Sequence, residues 1–210
     1  MANVNAPFGF AAIGTFNGGP YNGRTTTYYI PSTDGNAFYI GDAVKTTNNG
    51  DANGIPAVTK ITNGTDTLRG VIIGIDNRIG PFLPGNVPDL SKDPQVTASQ
   101  VSIPATKNRD YYVQVVDDPE AMFAIQLDSA GTNSVASKVN NNASFTVTAP
   151  TPATNAVSNT VISGASIATT QSLNLRLLGL LQVPGNSYGA YAIYVVKINQ
   201  HELMGNTSGV

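Results

Sequence analysis

Apolar residues recur along this chain in short runs of strand length, and no segment holds a helical period over three turns. Tyr28–Pro31, Ala37–Ile40, Asp42–Lys45, Ile55–Ile61 and Leu68–Ile75 are such runs. They are rich in β-branched and aromatic residues, and the clusters STDGN, NNGDANG and TNGTD between them carry turn chemistry. Residues 80–107 hold five prolines and little apolar periodicity, which predicts a long loop. Tyr111–Val116 and Met122–Leu127 then flank Asp117-Asp118-Pro119-Glu120. Asp118 and Pro119 suit the first two positions of a type I turn, so the stretch predicts a hairpin over 111–127. Both faces of its first strand are mostly apolar, as in a strand covered on two sides. Ser, Thr, Asn and Ala dominate 128–172, with strand-like pieces at Ala143–Thr148 and Asn159–Ile162. "LNLRLLGLL" and "AYAIYVVKI", joined by the turn "PGNSYG", predict two strongly buried strands. Leu68-Arg69 precedes an apolar run reaching Gly74, and Leu175-Arg176 precedes one reaching Gly179. That echo is too short to claim a repeat.

The pattern fails at the N-terminus. Phe8, Phe10, Phe16 and Tyr21 lie among glycines with no period of two or 3.6, and Arg24 follows. The reading is an extended arm over 1–27 whose aromatics need a surface, either their own domain or a partner. Docking on a partner is the expectation, because terminal segments are commonly ordered only when tied down. A single β-sandwich domain over 28–200, with long loops at 80–107 and 129–170, and a C-terminal tail over 201–210 complete the expected organisation.

Composition narrows the function. The chain has 210 residues, enough to bury a real core. Only 11% are charged, less than half the usual ~25%. Asn, Thr and Ser fill the polar positions, a surface suited to neutral hydrogen bonding against other subunits. There is no cysteine, hence no disulfide and no thiolate metal site. The net charge is −2 and no Lys/Arg run appears, which argues against binding nucleic acid through phosphate neutralisation. No stretch approaches the ~20 apolar residues of a membrane span. The N-terminus lacks a secretory pattern, so synthesis and folding in a cytoplasm are expected. Asn63, Asn142 and Asn206 open N-x-S/T triplets that an Asn- and Thr-rich chain produces by chance, implying no glycan.

Candidate chemistry is thin. Five of the 13 acidic residues, Asp110, Asp117, Asp118, Glu120 and Asp128, fall within 110–128. General acid–base work needs a carboxylate with a shifted pKa in a partly desolvated cleft. A turn tip in solvent supplies none, so these carboxylates are read as structural. His201 is the one histidine and lies in a polar C-terminal stretch without a nucleophile nearby in sequence, an ordinary surface or interface residue. Asn49, Asp51, Asn53 and Gly54 match positions of an EF-hand loop, but the twelfth position, which needs a bidentate Glu, holds Lys60. "FNGGPYNGR" lacks the Gly-Lys-Ser/Thr ending of a phosphate cradle. The residues therefore point to an all-β binding or structural protein before an enzyme, and no motif for a cofactor or a metal is found.

"MANVNAPFGF", "RTTTYYIPSTDGNAFYIGDAVK", "LRGVIIGI", "YYVQVVDDPEAMFAIQ" and "LRLLGLLQVPGNSYGAYAIYVVKINQHEL" together resemble the head cement (decoration) proteins of tailed bacteriophages. The resemblance spans most of the chain and is weakest over 129–170. It implies a jelly-roll-like β-sandwich on the virion exterior, bound to the phage major capsid protein, bridging neighbouring capsomers and stabilising the DNA-filled head. It also implies no enzymatic role and self-association as a homodimer or trimer. Phe8, Phe10, Phe16, Tyr21 and Arg24 are the expected capsid contacts. The rival reading is a glycan-binding β-sandwich of a phage fibre or surface protein, using Tyr21, Tyr188 and Tyr191 with Asn22 and Asn186.

Overall fold

The computed structural model describes residues 3–62, 64, 66–76, 102–150 and 157–204. Among these the fold is all-β, as the apolar runs predict, with three single-turn 3₁₀ segments and no α-helix. The first nine strands are β1 (Ala11–Thr15), β2 (Thr26–Ile30), β3 (Phe38–Tyr39), β4 (Ala43–Gly50), β5 (Pro56–Lys60), β6 (Gly70–Asp76), β7 (Ser102–Ile103), β8 (Tyr111–Val116) and β9 (Ala121–Gln126). Five more follow: β10 (Asn142–Ala143), β11 (Phe145–Thr146), β12 (Val161–Ile162), β13 (Leu175–Leu180) and β14 (Ile193–Ile198).

Two layers result. One is rolled into a closed barrel in the order β2-β5-β4-β6-β8; the other is a five-stranded sheet, β1-β9-β14-β13-β10. Strand alternation gives each barrel strand two duties. Tyr28, Ile30, Val44, Val58, Ile72, Val113 and Val115 fill the barrel. Ala43, Val71 and Val116, register neighbours of one another, point outward and pack with Phe123, Ile125, Leu177 and Val196 of the sheet. The expectation of a strand covered on two sides is met by β8 in this way.

The hairpin expected over 111–127 is corrected. Its turn forms as read: Ala121 N–H donates to Asp118 O (3.0 Å), and the Asp118 carboxylate accepts the Glu120 N–H (2.9 Å). The strands it joins do not pair. β8 lies between β2 and β6 in the barrel, while β9 lies between β1 and β14 in the sheet. The turn is a corner between layers, and turn chemistry is the same in both cases. Asp118→Asn keeps the accepting oxygen, so we expect a stability change within ~1 kcal/mol, read by urea unfolding. By contrast β13 and β14 do form an antiparallel hairpin. The Leu-Arg echo also has a physical counterpart, since β6 and β13 each carry a bulge ending at the glycine, Gly74 and Gly179.

The arm is corrected most. Residues 11–15 are a strand on the edge of the sheet, antiparallel to β9 with a register shift between Ala12 and Gly14. Phe10 is 2% exposed and packs edge-on against Phe123 and Phe145, with ring centroids 6.0 and 5.5 Å away. Upstream, the Asn3 side chain donates to Ser187 O and Ala190 O, and the buried Gln126 amide accepts the Ala6 N–H and donates to Val4 O. Gly9 and Gly41 make a backbone crossing. Both have positive φ, and a Cβ on Gly9 would lie 2.7 Å from Gly41 O. The tail is corrected too: residues 200–204 belong to the fold. Leu68 N–H donates to Gln200 O (2.8 Å) and Glu202 N–H to Leu68 O (2.9 Å). The loop expected at 80–107 lies outside the described residues up to 101; beyond it β7 pairs with β3. Of 129–170, residues 151–156 lie outside them, and the rest holds three short strands and the 3₁₀ turns.

Beside the Gly9–Gly41 crossing sits a buried ion pair that sequence reading did not find. The Lys60 ammonium meets the Asp42 carboxylate at 2.7 Å, with side chains 8% and 1% exposed. Asp42 also accepts the Tyr39 N–H (2.9 Å) and the Ser158 hydroxyl (2.6 Å). Lys60 lies over the Tyr39 ring and donates to Ala37 O.

Candidate functional site

The described residues bring no catalytic constellation together, and no group of three or more His, Asp or Glu among them is placed to hold a metal. The five carboxylates of 110–128 are separated by their tasks. Asp110 accepts the Ser32 N–H (2.7 Å), and Asp128 accepts the Ala130 and Gly164 N–H groups. Glu120 pairs with Lys197 at 2.6 Å. Asp117 closes one end of the barrel, accepting the hydroxyls of Tyr28 (2.8 Å) and Thr26 (3.0 Å) with Arg69 alongside at 3.4 Å. Burial, reinforced by the bond to Asp117, pushes the Tyr28 hydroxyl up to about 12.

The calcium-like loop is the β4–β5 turn. Asp51 accepts the Asn53 and Ile55 N–H groups (2.9 and 2.8 Å) and the Tyr112 hydroxyl (2.9 Å), and Gly54 supplies a φ of +84°. Burial alone would raise its carboxyl, but the bonds from Ile55, Tyr112 and Asn53 hold it below the ordinary range. Its oxygens serve the turn, and Lys60 serves Asp42.

What remains is a surface. On β14, Tyr194, Val196 and Ile198 point into the shared core, while Ile193, Val195 and Lys197 alternate onto the other face. Met122 and Ala124 of β9 stand opposite Lys197 and Val195 in the register, and Leu178 of β13 continues the face. The N-terminal segment covers the Gln126–Ile193 end of this face, where Val4 and Ala6 bond the buried Gln126, and the Lys197 end is the more open one. At one end it deepens into a groove of ≈ 300 Å³, lined by Phe16, Leu178 and Met204 with Arg176, Lys197 and Asn199. Phe16 is 58% exposed yet fixed: its N–H donates to Glu120 O (2.8 Å), and its ring lies 5.0 Å from the Lys197 ammonium. Met204 and Leu203 are also about half exposed.

The five expected contacts therefore divide. Phe10 belongs to the core, a correction whose reason is its place between Phe123 and Phe145. Phe8 is half-buried and lines a second groove with Asn3, Val4 and Gln126. Tyr21 is half-buried against the core. Phe16 and Arg24 are exposed. Sequence reading missed Leu178, Lys197 and Met204. A signal was present in Lys197, a cation in the Val-Val-Lys-Ile run that marks one face of the strand as open. The glycan set fares differently. Tyr188 is exposed, but both amide atoms of Asn186 are engaged by Leu181 O, Ile193 O and the Ile193 N–H. His201 is 2% exposed, not a surface residue. Asn142 is fully buried. No protein-family model, curated protein or solved structure matches this chain.

Proposed function

We propose that this chain is a structural binding protein of the cement type, seated on the outside of a tailed-phage shell and bridging neighbouring copies of the major capsid protein. The observation that carries the reading is Phe16, more than half exposed beside Lys197 at a groove of mixed apolar and cationic lining at one end of the sheet face. The sequence motifs that resemble decoration proteins supply the partner. A protein that binds only the assembled state stabilises that state through the linkage of binding to stability. Many copies across the seams between capsomers raise the effective concentration of each contact, and self-association as a dimer or trimer adds to it. Apolar and neutral contacts hold at high salt, where ion pairs weaken.

The test is co-sedimentation with DNA-filled heads that lack the protein, with its copy ratio to the major capsid protein measured. Phe16→Ser should leave unfolding almost unchanged, because that side chain is more than half in water, and weaken head binding at least about tenfold, the loss expected of an interface anchor. Undiminished affinity of the folded variant would remove the groove from the mechanism.

A further inference from the structure

The turn that carries Met204 to the groove is held by His201 twice, through its backbone carbonyl and through its titratable side chain. His201 pairs with Leu68 across the seam between sheet and barrel, and its carbonyl accepts the Met204 N–H at 3.0 Å. Its Nδ1 accepts the Leu203 N–H at 3.1 Å. Nδ1 is therefore the unprotonated nitrogen, and the imidazole hydrogen sits on Nε2, which is buried and meets no partner. Adding a proton places a second N–H on Nδ1, facing the Leu203 N–H. Two donors cannot share a bond, so protonation breaks the fastening directly.

We propose that His201 is an acid-sensitive clasp: its protonation breaks the side-chain bond to the Leu203 N–H and so loosens the 201–204 turn that carries Met204 to the groove beside Phe16. Calling this regulation of binding rests on the groove being the contact surface; the clasp itself is a property of the free protein.

The surroundings oppose the charged form. Burial lowers the imidazole from its ordinary value, and the Arg69 guanidinium adds to that; Asp117, Glu202 and Asp118 pull the other way. Each of those carboxylates is already engaged. Glu202 takes the Thr46 N–H and hydroxyl, both at 2.8 Å, Asp117 takes Tyr28, Thr26 and Arg69, and Asp118 takes the Glu120 N–H. The sign follows. The closed clasp binds the proton more weakly than the open one, whose imidazole titrates near ~6.5. Closure is fully favoured above that pH and is lost as pH falls below it, by up to about tenfold per pH unit for one proton, until the closed form protonates.

Because His201 is the one histidine in the chain, its ring resonance is unambiguous by NMR. Between pH 7.5 and 5.0 it should titrate below ~6.5. Amide exchange at Leu203 and Met204, corrected for the intrinsic pH dependence, should stay flat down to ~6.5 and then accelerate by up to about tenfold per unit as pH falls further, the one-proton slope. Amides of β13 and β14 should keep their protection. H201N retains an accepting oxygen near the place of Nδ1 and cannot charge, so its exchange should stay flat. An imidazole that titrates at its ordinary value, or wild-type exchange that does not follow the titration, overturns the clasp. A clasp that opens in protein unable to bind heads sinks the proposed function and leaves the clasp standing.

Discussion

Phe10→Ala should cost the free protein about 3–5 kcal/mol, the usual loss for emptying a core aromatic site. The ring is 2% exposed and lies between two other rings, Phe123 from the centre of the sheet and Phe145 from the short β11. Its own backbone is pinned, since the Phe10 N–H donates to Gly41 O at 3.0 Å across the glycine crossing. The walls cannot collapse into the gap without moving β9, whose neighbours on both sides hold it. Deleting residues 1–16 should do more harm still, because the edge strand β1 goes with the ring. Urea unfolding of the free protein reads both changes. A truncated chain that melts like the full one would return the segment to the role of a docking arm.

The second large effect belongs to Asp42. Asp42→Ala should destabilise by about 3–5 kcal/mol, because it leaves the Lys60 ammonium buried without its counter-charge. Neither partner reaches solvent enough for water to take over, with side chains 1% and 8% exposed. Ala37 O and the Tyr39 ring remain for Lys60, but neither carries a charge. The double variant Asp42→Ala/Lys60→Met should recover a large part of the loss, since paired removal of a buried ion pair is often close to neutral. A double-mutant cycle measures this. Strictly additive losses would show that the pair is not coupled and that Asp42 acts through Tyr39 and Ser158 alone.

Strand existence was legible because period-two runs and turn clusters are local. Tyr111 to Val116 and Leu175 to Leu180 are strands where their patterns place them, and Asp118-Pro119 makes the turn its chemistry demands. Pairing was not legible. Whether β9 folds back on β8 or crosses to another sheet depends on β14, some 70 residues further on, and no local feature of Pro119 records it. The arm misled for a related reason. "AAIGT" is too short and small to declare a strand, and its order comes from β9 and from glycines that let Phe10 reach Gly41. Asp42 and Lys60 are 18 positions apart, and Ser158 lies 116 from Asp42; such polar knots leave no periodic trace. Of the candidate site, Phe16 was in view from the start, whereas Met204 and Leu178 joined it only through the course of the backbone.

The order β1-β9-β14-β13-β10 has a consequence for how the chain is made. Every barrel strand lies between residues 26 and 116, so the barrel has all its strands before those that complete the sheet follow. The sheet has no such independence. Its central strand, β14, follows all the other described strands, and β1, which precedes them, sits at the sheet's edge. Phe10 therefore fills a cavity whose walls, Phe123 and Phe145, lie 113 and 135 positions further along the chain. Contacts of that sequence separation are the slowest to form. Until they form the Phe10 ring has no cavity, so its burial belongs to the late steps of folding.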